Sequence, residues 1–269
     1  MPQSAKRPYT AISLGWGVQS WTLAAMVALG ELPPVDVAIH ADTGHEMQGT
    51  YAFAAEWAPW LEAHGVRVVT VRDPLGGGVV MQNTQSLTVE IPAYTVIAGK
   101  DGRIRRQCTY KWKTAPVRRF LQEERHGQPV DLLLGISTDE WQRMKAADVD
   151  YIRHAYPLID LGMSRRDCLD WLTAHDLPAP GKSSCTFCPF HNLGAWRAMK
   201  RAGGADWEEA LAVDMAIRDT MLPGALYIHP KRVPLADAVV IPEDFGYTQL
   251  ELLASDDDDA ECDSGFCFL

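Results

Sequence analysis

Four short apolar runs, YTAISL (9–14), VDVAIHA (35–41), VRVVTV (66–71) and VDLLLGI (130–136), punctuate the first half of the chain. Helical patterns lie between them, over 19–29, 50–64 and 116–125. Runs with little polar alternation, separated by helices, are what a parallel sheet covered on both faces requires. The chain therefore reads as an α/β protein with a doubly wound, mostly parallel sheet. A less regular segment with a hairpin-like stretch over 91–104 interrupts the series. Beyond residue 160 the pattern turns helical. A helix is expected over 164–175, with Ser164 as its N-cap and Asp167 in its first turn. Pro178, Pro180 and Gly181 then break the chain, and helices follow over 193–200 and 207–221.

At 269 residues, with 47% hydrophobic and 22% charged side chains, the chain can bury a sizeable core. Its net charge of −10 argues against indiscriminate nucleic-acid binding, although the run Asp256-Asp257-Asp258-Asp259 supplies part of that sum. No stretch approaches the ~18 apolar residues of a membrane span, and the N-terminus lacks the apolar core of a signal peptide, so a cytoplasmic protein without a membrane partner is expected. In a reducing compartment, six cysteines serve more often as metal ligands, redox groups or core residues than as disulfides.

Two segments at strand ends carry candidate binding chemistry. SLGWGVQS (13–20) joins the first strand to the first helix. Backbone N–H groups at such a turn favour a phosphate or another anion, Gly15 and Gly17 permit close approach, and Ser13 and Ser20 add hydroxyls. It is neither a Walker loop nor a dinucleotide fingerprint. ADTGHE (41–46) ends the second strand, which places Asp42, Thr43 and Gly44 beside that turn. Asp42 as the N-cap of the next helix is the plain structural alternative.

Between Arg103 and Arg119 the chain is basic without an acid, through Arg105, Arg106, Lys111, Lys113, Arg118 and Arg119. Cys108 lies within it, where neighbouring cations favour the thiolate. KSSCTFCPFHNLG (182–194) holds Cys185 and Cys188, followed by Pro189 and His191. Thiolates with a proline after a ligand suit an iron–sulfur cluster. Cys185, Cys188 and His191 with Cys108 would equally suit tetrahedral zinc. Cys168 has the helical spacing of a core thiol, and Cys262 and Cys267 sit in the tail ECDSGFCFL. Trp112, Trp141 and Trp196 lie near basic residues, where they either stack bases or pack in the core.

SLGWGVQS with ADTGHEMQGTY, RRQCTYKWKTAP (105–116), GISTDEWQR (135–143), the Cys-x-x-Cys loop and the cysteine-bearing tail resemble, in that order, the phosphoadenosine phosphosulfate (PAPS) reductase family of the adenine nucleotide alpha-hydrolase superfamily. The resemblance spans nearly the whole chain and implies residues 1–160 as a nucleotide-binding α/β domain. Residues 161–269 would be a helical cysteine-loop region and redox tail packed on it as one unit.

The resemblance implies sulfur chemistry on PAPS, APS or ATP with Mg. Ser13, Gly15, Gly17, Gln19, Ser20, Asp42, Thr43 and Gly44 would bind the nucleotide, with Arg105, Arg106, Lys111, Lys113 and Arg143 neutralising its charge. Cys108, Cys185 and Cys188 would hold a [4Fe–4S] cluster, with a tail cysteine, Cys262, as fourth ligand; zinc is the alternative. Glu261-Cys262 matches the family's Glu-Cys order and Cys267 the distance of its nucleophile from the end, so either is the candidate thiol, with Arg143 as a catalytic-site cation.

As a reductase the chain would form sulfite and use a thioredoxin-like electron donor. As an ATP-dependent sulfurtransferase it would thiolate DNA or tRNA, with nucleic acid or a cysteine desulfurase as partner. A non-catalytic nucleotide- or cluster-binding regulator is the third reading. Two departures from the family's pattern bear on this choice. Gln19 stands where ATP-cleaving relatives carry an aspartate, and Ser137 where reductases carry a substrate-gripping arginine.

Overall fold

A computed structural model describes residues 7–74, 80–83, 86–97, 99–218 and 224–241. Along the chain run β1 (Tyr9–Ser13), α1 (Val18–Ala28), β2 (Val37–Asp42), α2 (Gln48–Ala63) and β3 (Val68–Arg72). Then come β4 (Val80–Asn83), β5 (Ser86–Val89), β6 (Tyr94–Ile97) and β7 (Lys100–Arg103). A π-helical turn (Thr109–Thr114) leads into α3 (Ala115–Glu124) and β8 (Val130–Leu134). A 3₁₀ turn (Thr138–Arg143) precedes β9 (Ile152–Ala155), α4 (Pro157–Asp160) and α5 (Arg165–Ala174). The remainder is α6 (Leu193–Ala202), α7 (Gly204–Ala216), β10 (Leu226–Tyr227) and α8 (Leu235–Ala238). None of the helices among the described residues is long and apolar enough to cross a membrane.

The chain divides into two compact units. Among the described residues, the first comprises those up to Pro74 together with Tyr110–Ser183, and the second those between Pro74 and Tyr110 and those from Ser184 to Ile241.

In the first unit, β3-β2-β1-β8-β9 form a five-stranded sheet in which every pairing is parallel. This is the expected α/β architecture. The apolar runs serve both faces at once. Ile12, Leu14, Ala38 and Leu133 face α1, α2 and α5, whereas Ala11, Val37, Ile39, Leu132 and Leu134 pack with Val117 and Leu121 of α3. That two-sided burial is why the strands show so little polar alternation. Helix α5 begins as its sequence predicts. The Ser164 hydroxyl accepts from the Asp167 amide at 3.2 Å, and the Asp167 carboxylate accepts from the Ser164 amide at 2.8 Å. Cys168, on this helix, is fully buried.

The second unit is built differently. It contains a three-stranded sheet, β10-β6-β7, paired antiparallel, and a β4–β5 hairpin. The β6–β7 hairpin lies within the stretch read as hairpin-like. Helix α6 starts at Asn192, whose side chain accepts from the Ala195 amide at 2.7 Å. Asp214, 2% exposed, accepts from the amides of Ile228 (3.1 Å) and Leu235 (2.9 Å) and from Arg218. One carboxylate thereby ties α7, β10 and the start of α8 together. Helix α7 ends at Ala216, short of the residue 221 expected from the pattern.

Candidate functional site

The first unit's sheet reverses its winding between β1 and β8. From β1 the chain steps outward through β2 and β3, whereas β8 and β9 lie on β1's other side. Ligands of open α/β sheets bind off the carboxyl ends of strands at such a switch point. Here that place is flanked by the β1–α1 turn and the 3₁₀ turn after β8.

The β1–α1 turn is shaped by its tryptophan. Trp16, between the two glycines, takes a left-handed backbone conformation (φ 57°), which is rare for a bulky residue. Its ring is 2% exposed and meets Trp21 at 6.2 Å, Phe53 at 6.2 Å and His40 at 6.4 Å, so aromatic packing offsets the backbone cost. Ser20, expected as an open donor, is turned inward: its hydroxyl accepts from the Gly15 amide and donates to the Gly17 carbonyl, each at 3.2 Å. Ser183 donates to the Gly15 carbonyl. Gly17 caps α1 with no side-chain hydrogen bond at that end, so the turn presents its main chain to the crevice rather than a hydroxyl.

Gly135, just past β8, is the glycine this crevice cannot exchange. A Cβ there would lie 2.7 Å from the Ser20 nitrogen and 2.9 Å from the Gln19 carbonyl carbon. Its missing side chain lets the end of β8 meet the first turn of α1. Gln19 then reaches the 3₁₀ turn: its amide nitrogen donates to Ser137 Oγ at 3.4 Å and to Glu140 Oε2 at 3.3 Å. The other oxygen of Glu140 accepts from Arg143, whose side chain is only 9% exposed. Gln19, Ser137, Glu140 and Arg143 thus converge at the switch point. Sequence reasoning named Gln19 and Arg143 and missed Gly135 and Glu140; both stand in the GISTDEWQR segment, but their roles need α1 as neighbour.

At the end of β2, Asp42 is not a helix N-cap; Met47 occupies that position of α2. Asp42 is buried and accepts from the Gly44 amide (2.7 Å), the Tyr51 hydroxyl (2.8 Å) and Arg72. Burial alone would raise its pKa, but hydrogen bonds from Arg72, Gly44 and Tyr51 outweigh it and hold the carboxyl below its ordinary value. Burial and the Asp42 carboxylate push the Tyr51 phenol up. Gly44 is used for its positive φ of 79°, which closes the Asp42 turn. Thr43 donates to Glu46 at 3.3 Å, and Glu46, 1% exposed, pairs with Lys113 at 3.2 Å. His40, nearby, accepts burial as a neutral ring: desolvation lowers its pKa, and its Nδ1 lies 3.1 Å from the Leu14 carbonyl. Tyr51, Arg72 and Glu46 were not foreseen as members of this cluster.

The basic segment is shared between the units. Lys111 and Lys113 lie in the first, on the π-helical turn. Arg103, Arg105, Arg106 and Cys108 lie in the second. There the guanidinium groups of Arg103 and Arg106 stand 5.6 Å and 5.3 Å from the Phe190 ring centroid, which brings the basic residues to the Cys-x-x-Cys loop. The amide of Cys108 donates to the Glu90 carbonyl at 2.9 Å. The Cys188 amide donates to the Cys185 carbonyl at 3.1 Å, closing a tight turn, and His191 Nε2 bonds the same carbonyl at 2.9 Å.

Cys108, Cys185 and Cys188 are partly exposed and none is in a disulfide. They supply three thiol donors of the kind an iron–sulfur cluster takes. Among the described residues no group of three or more His, Cys, Asp or Glu side chains is gathered to hold a metal ion. Cys262 and Cys267 lie outside the described residues. Cys168 is a core thiol, as its spacing indicated: burial pushes its pKa up to about 12. Of the three tryptophans near cations, Trp112 and Trp196 are buried, and Trp141 is 66% exposed.

No family model matches the chain, and no curated protein matches it in sequence. Solved structures do show similarity. A PAPS reductase from Candida auris, in complex with phosphate, aligns at 13% identity over 66% of this chain and 78% of its own, with a TM-score of 0.43. The U34-tRNA thiolase NcsA from Methanococcus maripaludis, with its [4Fe-4S] cluster, aligns at 12% identity over 90% of this chain and 84% of its own, also at 0.43.

Proposed function

We propose that this chain performs sulfur chemistry on an adenine nucleotide, and that the reaction is reduction of a sulfonucleotide, PAPS or APS, to sulfite by a cysteine thiol. The observation that carries the nucleotide reading is the convergence of Gln19, Ser137, Glu140 and Arg143 on the α1 N-terminus at the β1/β8 switch point. In this reading Ser13, Gly15, Gly17 and Ser20 shape the turn around the phosphate or sulfate, and Arg143 and Lys111 balance its charge. Asp42, Thr43, Gly44 and Lys113 support the adjoining strand end.

A thiolate from Cys262 or Cys267 attacks the sulfate sulfur, the nucleotide leaves as its phosphate, and a thioredoxin-like dithiol releases sulfite from the resulting S-sulfocysteine while becoming a disulfide. Cys108, Cys185 and Cys188, with Cys262 where it is not the nucleophile, are the residues that would hold a [4Fe–4S] cluster, close in sequence to the basic Arg105–Arg106 pair. The amide of Gln19, in place of a carboxylate, favours reduction over metal-assisted cleavage of ATP.

A second reading, ATP-dependent thiolation of nucleic acid, draws on one observation. Tyr110 and Trp141 of the first unit are 59% and 66% exposed, as aromatic platforms for bases are.

The test uses protein purified without air. Sulfite formed from PAPS or APS with reduced thioredoxin, and lost in both Cys262→Ser and Cys267→Ser or in either one, supports the reductase. Release of AMP or pyrophosphate from ATP only when DNA or tRNA is present, without sulfite, replaces it by the transferase. Zinc in place of iron and sulfide would remove the cluster from either account.

A further inference from the structure

Glu140 is an acid placed where the nucleotide reading calls for cations. It sits at the one residue of the 3₁₀ turn that leaves helical geometry (φ −115°, ψ 19°). One of its oxygens holds Arg143, and the other accepts from Gln19 on the first turn of α1. The partly positive end of α1 and the Arg143 guanidinium would otherwise both draw an anion to this point. Glu140 already meets Arg143 and the Gln19 side chain on the first turn of α1 with one negative charge. A nearly buried guanidinium needs such a counter-charge whenever no ligand is bound, because an unpaired cation in that position is costly.

The two ends of this pair are unequal. Arg143 is 9% exposed in its side chain and Glu140 25%, so the acid is the end with room to swing out. The backbone beneath is pinned: the Thr138 amide donates to the Met163 carbonyl at 2.9 Å, and Asp139 accepts from the Arg165 amide at 3.0 Å. Exchange therefore involves the Glu140 side chain and not the turn. The acid on the neighbouring strand end is a contrast. Glu46, paired with Lys113, is 1% exposed and belongs to the packed fold.

We infer that Glu140 is the charge selector of the β1/β8 crevice: it competes with the ligand for Arg143, so weakly charged nucleotides are refused and polyanionic ones displace it. This rests on the nucleotide reading above and adds the residue that sets which nucleotides qualify.

The experiment titrates adenosine, AMP, ATP and adenosine 3′,5′-bisphosphate calorimetrically into the intact wild-type chain and into the E140Q, E140D and D139N variants. Glu140→Gln removes the charge and leaves one accepting oxygen, which can keep the hydrogen bond from Gln19 while releasing Arg143. The expected result is AMP bound roughly tenfold more tightly by E140Q, a range typical of one nearby charge, with the ATP-to-AMP preference narrowed. E140D keeps the charge and should not tighten AMP, D139N should behave as wild type, and adenosine should not distinguish the proteins. Equal or weaker AMP binding by a folded E140Q, with wild type still binding ATP, overturns the selector and leaves the nucleotide site standing. Equal tightening in D139N overturns it too, as a general charge effect. If no folded protein binds any of the nucleotides, the selector and the nucleotide reading fall together.

Discussion

The two units reach their candidate chemistry by opposite routes. In the first, the candidate site follows from topology: a parallel sheet with both faces covered brings main chain and polar side chains together at the carboxyl ends of β1 and β8. Its important residues include Gly135, which contributes by having no side chain. In the second, short strands and helices are held by single polar keystones such as Asp214, and the chemistry is written in residue type, in Cys108, Cys185 and Cys188 beside arginines. In the proposed reading, the first unit's site tolerates change in side chains better than in backbone approach, and the cysteine group of the second the reverse.

The largest expected effect breaks the second unit. Asp214→Ala strands two buried amides and Arg218, at a cost of about 3–5 kcal/mol. Hydrogen exchange should show protection lost around α7 and β10 while β1 and β8 stay protected; uniform loss across both would erase the contrast between the units.

Next is Gly135→Ala, which drives a methyl group into the backbone of α1 and should destabilise by about 1–3 kcal/mol. Nucleotide binding should fall more than stability does, read as a lost titration signal in a protein that still melts cooperatively. Full binding by that variant would disconnect the close approach from the site.

Acid should weaken both units by a smaller amount. Burial lowers the pKa of His40 and His154 in the first unit and of His229 in the second. The unfolded chain then binds protons that the folded chain refuses, so stability is complete above the unfolded value of about 6.5 and declines as pH falls through the folded values. Asp42, held below its ordinary value, adds a further loss only below about pH 4. Urea midpoints from pH 7.5 to 5 should fall steadily; a rise would contradict the buried neutral histidines.

The smallest effect is on labelling. With its pKa pushed up to about 12, Cys168 should resist iodoacetamide at pH 8 in the folded chain and react only after unfolding. Early labelling there would show that α5 opens independently of the rest of the first unit.

Four of the five strands in the first unit's sheet were legible because two-sided burial imposes a run of apolar residues that few other structures need; β9, Ile152-Arg153-His154-Ala155 at the sheet edge, carries no such run and was not expected. Ser164 and Asp167 announced α5 because a capping box is a local device. Cys168 was legible as core from helical spacing. What pairs across the chain was not. Nothing near Asp42 in sequence indicates Arg72, and Glu46 joins Lys113 only once α3's preceding turn is placed beside β2. The 13–20 turn misled in the same way. The glycines looked like the device of the turn, whereas a left-handed tryptophan anchored in an aromatic cluster, and a hydroxyl turned inward, give it its shape.

The most direct test of the account is where a nucleotide attaches. Irradiating the anaerobic protein with an 8-azidoadenine nucleotide and mapping the adduct by mass spectrometry should place label on the peptides carrying residues 13–20 and 135–143, with excess unmodified nucleotide suppressing it. Specific label confined to the second unit would contradict a nucleotide site at the β1/β8 switch point.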